Sequence, residues 1–151
     1  DAIGMLKERE VQLKNYPEEV ILTPHLGEFS RLTGISIEKW KENPIKITQE
    51  IAKTLSVVLV CKDARTIISK GNESIYLNLS GNDGMASAGS GDVLTGIILS
   101  LLAQRKDALE AACLGAYLHG AAGDLAAKKK GRAAMLAGDL IEAAGQILGE
   151  I

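Results

Sequence analysis

Aromatic side chains make up only 3% of this 151-residue sequence, and no basic block is interleaved with them. Proteins that bind nucleic acid need a basic footprint and, for single strands, stacking aromatics. With a formal net charge of −2 and acidic and basic residues alternating along the chain, no nucleic-acid partner is expected. Cysteine is scarce as well. Cys61 and Cys113 stand far apart, in no metal or redox spacing, and read as small apolar residues of a reducing compartment, so the expected location is the cytoplasm. Long apolar runs are also missing. The longest uncharged stretch, Ala111 to Gly123, has 13 residues and contains His119. A membrane helix needs about 20, so no membrane partner is expected, and no secretory signal is visible. Internal repeats and low-complexity linkers are absent.

What is present is apolar content of 46%, enough for one domain to bury a core. Leu6 to Tyr16 is charged and helix-forming, and Pro17 stops it. Val20 to Leu22 is a short apolar run that reads as a buried strand entering a loop at Thr23-Pro24. His25 to Thr33 reads as a helix ended by Gly34. Ser36 caps a short segment through Trp40, and Pro44 opens a helix with Ile47, Ile51, Ala52 and Leu55 on its apolar side. Val57 to Cys61 is continuously apolar, as in a strand covered on both faces. Thr66 to Ser69 and Ser74 to Leu79 are shorter strands, with Gly71-Asn72 suited to a hairpin turn between them. Ser80 to Gly91 is too rich in Gly, Asn, Ser and Ala for a regular element. Helices are then expected over Val93 to Ala103, Ala108 to Lys128 and Gly138 to Leu148. Strands alternating with helices, followed by a run of helices, predict an α/β layered domain.

One loop invites chemistry. Ala88-Gly89-Ser90-Gly91-Asp92 leads straight into a helix. A helix start leaves amides without partners and carries positive partial charge, so it favours an anion. Glycines let a phosphate approach the backbone closely. Asp92, in the first turn, could take a proton from a substrate hydroxyl while the amides hold a transferring phosphoryl group. The plainer reading is a glycine turn with Asp92 or Ser90 as helix cap. A Walker loop requires Gly-Lys-Ser/Thr, which is missing, and the dinucleotide fingerprint requires a third glycine where Leu94 stands.

Three ordered segments carry a resemblance. Asn82-Asp83-Gly84-Met85-Ala86-Ser87-Ala88-Gly89-Ser90-Gly91-Asp92-Val93-Leu94-Thr95-Gly96 closely resembles a hallmark of the NAD(P)H-hydrate dehydratases, a branch of the ribokinase-like superfamily. Leu22 to Leu32 is similar to that family's other hallmark, and Val60 to Thr66 to its nucleotide-holding strand and turn. The resemblance implies a ribokinase-like layered sheet with flanking helices. It also implies that residues 1–151 are the C-terminal part of a single nucleotide-binding domain. The implied activity is conversion of S-NADHX or S-NADPHX to NADH or NADPH, using ADP or ATP with Mg2+, through phosphorylation of the C6 hydroxyl and phosphate elimination. On this resemblance Asp92 is the catalytic base, and the amides of Ala88, Gly89, Ser90 and Gly91 form the anion hole. Lys62, Asp63, Ala64, Arg65 and Thr66 surround the nucleotide with Asn82, Gly84, Met85, Ala86 and Gly91. His25, Gly27, Glu28 and Arg31, together with Asp92, line the hydrated nicotinamide.

The sequence departs from the family in places. Asp63 replaces the glycine usual after the lysine, adding a negative charge, and Ile3 replaces an aspartate. Asp1 falls where the family is about half complete, so the N-terminal half is expected on a second chain or as a lost segment. A homo-oligomer is also expected, as is common among relatives. Plainer roles exist for single residues. His25 and Glu28 fit a helix cap, Arg31 and Lys128 to Lys130 fit solvated helix surface, His119 fits a packed core position, and Asp139 fits a cap of the last helix. Two other functions share the Asp92 loop: a ribokinase-like kinase of a vitamin precursor such as hydroxyethylthiazole or a pyridoxal-like alcohol, and a non-catalytic nucleotide-binding fragment. The Thr23 to Arg31 and Gly84 to Ala86 segments favour the dehydratase over the kinase.

Overall fold

The chain divides into two compact units, Asp1–Leu77 and Asn78–Ile151. A computed structural model describes residues 3, 5, 6, 13–15, 19–104 and 106–149. Most of the helix expected over Leu6 to Tyr16 lies outside the described residues. Within that stretch Leu13–Asn15 form a single 3-10 turn.

In the first unit, strand β1 (Ile21–Leu22) leads to helices α1 (Leu26–Thr33), α2 (Ile37–Glu42) and α3 (Pro44–Leu55), then to strands β2 (Val58–Cys61) and β3 (Thr66–Ser69). Strand β4 (Tyr76–Asn78) carries the chain into the second unit and completes a sheet of order β1-β2-β3-β4. β1 runs parallel to β2 with Ile21 opposite Val58, whereas β3 is antiparallel to β2 with Cys61 opposite Ile67. The helices start and stop where their polar residues dictate. Ser36 Oγ accepts from the Lys39 amide, and Asn43 both ends α2 and caps α3, whose first residue is Pro44. Gly34 closes α1 in the left-handed conformation, with its amide on the Ser30 carbonyl.

All four residues of β2 are buried, which explains its unbroken apolar run: neither face meets water. Leu59 and Cys61 share a core with Leu22, Phe29, Trp40 and Ala52. Phe29 and Trp40 meet edge to face, with ring centroids 6.4 Å apart. Trp40 Nε1 donates to Thr48 Oγ1 at 3.0 Å, so the indole is buried without an orphaned donor. β3 spans Thr66–Ser69 as expected, β1 and β2 are each one residue shorter than their apolar runs, and β4 keeps only three of the six residues expected.

The second unit is helical: α4 (Ser90–Ala103), α5 (Ala108–Lys130) and α6 (Ala137–Gly149) pack on one another. Ala122, Ala126, Leu140, Ala143 and Ala144 form much of the core, and the four alanines allow close helix approach. Asp107 caps α5, whose last turn holds Lys128, Lys129 and Lys130 where the helix dipole favours cations. This is the α/β architecture expected from the pattern. Among the described residues, no helix is long and apolar enough to cross a membrane.

Two local features differ from expectation. α4 begins at Ser90, three residues before Val93, and a 3-10 turn, Asp83–Met85, interrupts the loop. Both arise from chemistry that apolar periodicity does not report. Asn82 caps the short turn through its side chain, and Gly89, at φ +85°, swings the chain into the helix.

Candidate active site

In the first unit the candidate residues follow the carboxyl ends of β1 and β2. The Lys62 amide donates to the Pro24 carbonyl at 2.8 Å, and His25 and Lys62 form a parallel bridge beyond the named strands. The sheet pairing thereby brings the expected substrate-side segment, His25 to Arg31, beside the expected nucleotide-side segment, Lys62 to Thr66. Open parallel sheets bind ligands at this end. Asp63, Ala64 and Arg65 are exposed in the turn between β2 and β3, and Thr66 begins β3.

His25 is the N-cap of α1. Its Nδ1 accepts from the amides of Gly27 (3.1 Å) and Glu28 (3.2 Å), while Glu28 Oε2 accepts from the His25 amide at 2.8 Å. A nitrogen that accepts carries no proton, so the neutral ring holds its hydrogen on Nε2, 3.5 Å from Glu28 Oε2. The imidazole is still 56% exposed, so capping leaves its outer edge open to a ligand. Arg31 is exposed in the last turn of α1. A pocket of about 250 Å³, lined in part by Glu19, Val20, Val57, Lys70 and Glu73, lies at the opposite, amino-terminal end of these strands. It is separate from the candidate loops, and Lys70 is tied there to Glu19 and Glu73.

In the second unit, Gly89 is the N-cap of α4 and offers no side-chain cap. The amide of Ser90 reaches the Ser87 carbonyl at 3.2 Å, and the Val93 amide bonds the Gly89 carbonyl at 3.1 Å. A helix start without a side-chain cap leaves first-turn amides for an anion. Asp92 is exposed in that same turn, so carboxylate and amides share one end of one helix. Ser90 is buried instead of capping, and its Oγ lies 3.3 Å from Nε2 of buried His119 on α5. His119 is thus the packed residue expected, although it touches the loop that matters.

The Asn82 to Ala86 turn is held by α5. Asn82 Nδ2 donates to Asp124 Oδ1 at 3.0 Å, the Gly81 amide donates to Asp124 Oδ2 at 2.9 Å, and Asn82 Oδ1 accepts from Gly84 at 3.1 Å. A Cβ on Gly84 would stand 2.5 Å from the Arg132 carbonyl oxygen, and one on Gly123 would stand 2.2 Å from Met85 Sδ. Arg132 also pairs with Asp83 at 2.9 Å. Sequence reading missed Asp124 and Arg132. The signal was there in Gly120-Ala121-Ala122-Gly123-Asp124, whose two glycines lie three apart and share one helix face.

Lys129 bonds Gln146, and Lys130 pairs with Asp139 at 2.5 Å, so two of the three terminal lysines join α5 to α6. Asp139 caps α6 from within, accepting the Leu136 amide at 2.9 Å. Lys130 and this amide hold the Asp139 carboxyl below its ordinary range. Among the described residues no group of three His, Cys, Asp or Glu side chains converges on a metal position.

A profile of NAD(P)H-hydrate dehydratases matches residues 1–146, a stretch containing all three motif segments. A bifunctional NAD(P)H-hydrate repair enzyme of Moorella thermoacetica is 50% identical over 123 residues, covering 82% of this chain and 23% of the relative. A solved ribokinase-like superfamily protein of Enterococcus faecalis superposes with a TM-score of 0.87 at 33% identity, over 99% of this chain and 50% of that one. An ADP/ATP-dependent NAD(P)H-hydrate dehydratase of Bacillus subtilis, co-crystallised with ATP and Mg2+, gives 0.83 at 34% identity, over 89% and 50%. The chain therefore spans about half the length of these two solved proteins and about a quarter of the bifunctional one.

Proposed function

Because the chain belongs to the NAD(P)H-hydrate dehydratase family, we propose that the protein carrying it restores NADH or NADPH from the S hydrates NADHX and NADPHX, spending a nucleotide phosphate. Residues 1–151 form the C-terminal part of one ribokinase-like nucleotide-binding domain in this reading, working in the cytoplasm. The observation that carries the chemistry is the start of α4, where Asp92 stands in the first turn of a helix that has no side-chain cap.

Asp92 takes the proton of the C6 hydroxyl as that oxygen attacks the terminal phosphate of ADP or ATP. The amides of Ala88, Gly89 and Gly91 face the migrating phosphoryl group, the Ser90 amide being taken by the Ser87 carbonyl, and the positive end of α4 offsets its charge. Loss of a proton from C5 with cleavage of the C6–O bond then expels phosphate and restores the dihydronicotinamide. The turn Lys62 to Thr66 and the loop Asn82 to Ala86 hold the nucleotide, while His25, Gly27, Glu28 and Arg31 face the nicotinamide side. Asp63 brings a carboxylate to the nucleotide turn. Mg2+ bound together with the nucleotide would neutralise charge on its phosphates.

Incubating NADPHX with ADP and the intact protein, and following the near-ultraviolet absorbance of reduced nicotinamide, tests the reading. Recovery of absorbance with release of AMP and phosphate is expected. A vitamin-precursor kinase would show no recovery, and a binding fragment would show affinity for ADP without turnover. Replacing Asp92 with Asn is expected to lower turnover by roughly 10²–10⁴-fold while ADP affinity holds.

A further inference from the structure

We propose that Asp124 is a positioning residue that sets the Gly81–Met85 turn for the nucleotide. The assignment rests on the reading of that turn as part of the nucleotide site.

The argument starts from α5. Strand β4 ends against this helix at Asn78, whose Nδ2 donates to the Ala116 carbonyl at 3.2 Å. Ser80 Oγ follows, donating to the Tyr117 carbonyl at 3.1 Å. About two turns further along the helix, Asp124 receives the Gly81 amide on one oxygen and Asn82 Nδ2 on the other. The loop thus climbs α5 in step with the helix, and the glycines let it lie close. A Cβ on Gly120 would meet Ser80 Oγ at 2.2 Å and its carbonyl carbon at 2.7 Å.

Asp124 differs from the other ties because it fixes an orientation. A carboxylate can only accept, so it demands the Nδ2 end of the Asn82 amide. That leaves Asn82 Oδ1 turned the other way, where it accepts the Gly84 amide and closes the 3-10 turn. Rotating the Asn82 amide would oppose oxygen to carboxylate and nitrogen to N–H, losing both bonds. Charge-assisted hydrogen bonds of this kind are among the stronger ones. The α5 carboxylate therefore determines which groups of the Asn82–Ala86 loop remain to face a ligand. An asparagine at 124 would still accept one donor, but would turn its own N–H groups toward the other.

Titrating ADP into the intact protein and into Asp124→Asn, followed by steady-state kinetics, tests the assignment. The dissociation constant for ADP is expected to rise about tenfold, equivalent to about 1.4 kcal/mol. The KM for NADPHX should stay within about twofold, a split that general loosening of the fold would not produce. Unchanged ADP affinity overturns the assignment, and so does an equal rise in KM for both substrates. If the wild-type protein binds no ADP, the nucleotide reading falls and takes the assignment with it. If it binds ADP and dehydrates NADPHX while the variant behaves identically, the assignment alone falls. Should Asp124→Asn fail to fold, Asp124→Glu serves, since it keeps the charge and both acceptors on a longer arm. Weakened ADP binding with normal NADPHX kinetics supports positioning, and wild-type ADP affinity refutes it.

Discussion

His25 and Glu28 cap one another: the histidine ring nitrogen accepts the Glu28 amide at 3.2 Å, and the glutamate carboxylate accepts the His25 amide at 2.8 Å. This reciprocal box satisfies donors at the start of α1 that would otherwise be orphaned. Replacing His25 with Ala is expected to cost about 1 kcal/mol in urea unfolding, and His25→Asn should recover most of it because Asn also caps well. If the exposed ring edge meets the substrate, the Asn variant will still show a raised KM for NADPHX. Normal kinetics in His25→Asn would leave the histidine only its capping role.

The Lys130–Asp139 pair makes stability depend on pH in a defined window. Lys130 and the Leu136 amide lower the Asp139 carboxyl from its ordinary 3.8, so its contribution is present above that value and lost as pH falls through the lowered one. Asp139 raises Lys130 from 10.5, so the same pair weakens again as pH climbs past the raised value. Thermal melts of wild type and Asp139→Asn should differ most between these limits and converge on the acid side. A gap that stays constant down to strongly acid pH would contradict the pairing.

Cys61 is fully buried in the first unit, and loss of hydration pushes its thiol up to about 12. At pH 8 only about one thiol in ten thousand would be ionised, and only the thiolate reacts. Native protein treated with a thiol reagent should leave Cys61 unmodified until denaturant is added. Cys113, pushed up to about 11 and partly exposed, should react slowly. Rapid native labelling mapped to Cys61 by peptide mass would show that the core opens readily.

Two helix glycines should respond oppositely to alanine. Gly120→Ala places a methyl against the Ser80 backbone, and overpacking of that kind costs about 1–3 kcal/mol. Gly145 on α6 has open space where a Cβ would go, and there alanine should stabilise by up to about 1 kcal/mol through helix propensity. Chemical denaturation of both variants checks the pair. Equal effects would mean that the approach of the Ser80 loop to α5 is not tight.

Much of this was legible beforehand, for local reasons. The cap at Ser36, the helix start at Pro44 and the stop at Gly34 act within a few residues of themselves, so their chemistry can be read in order. The unbroken apolar run before Cys61 already implied a strand covered on both faces. The start of α4 was placed three residues late because Ser90, Gly91 and Asp92 look polar and loop-like, and nothing nearby in sequence reveals that Ser90 Oγ lies by His119, 29 residues on.

By itself the sequence determined most of the helices and strands from Val20 onward, and it carried the three motifs that mark the family, since both depend on residue type and short spacing. It could not decide that Pro24 and Lys62 pair at the end of β1 and β2, or that Asp124 reaches back 42 residues to orient Asn82. Those relationships come from sheet register and helix packing. Hydrogen bonds between distant residues form only after the chain has brought their backbones together, so no local pattern records them.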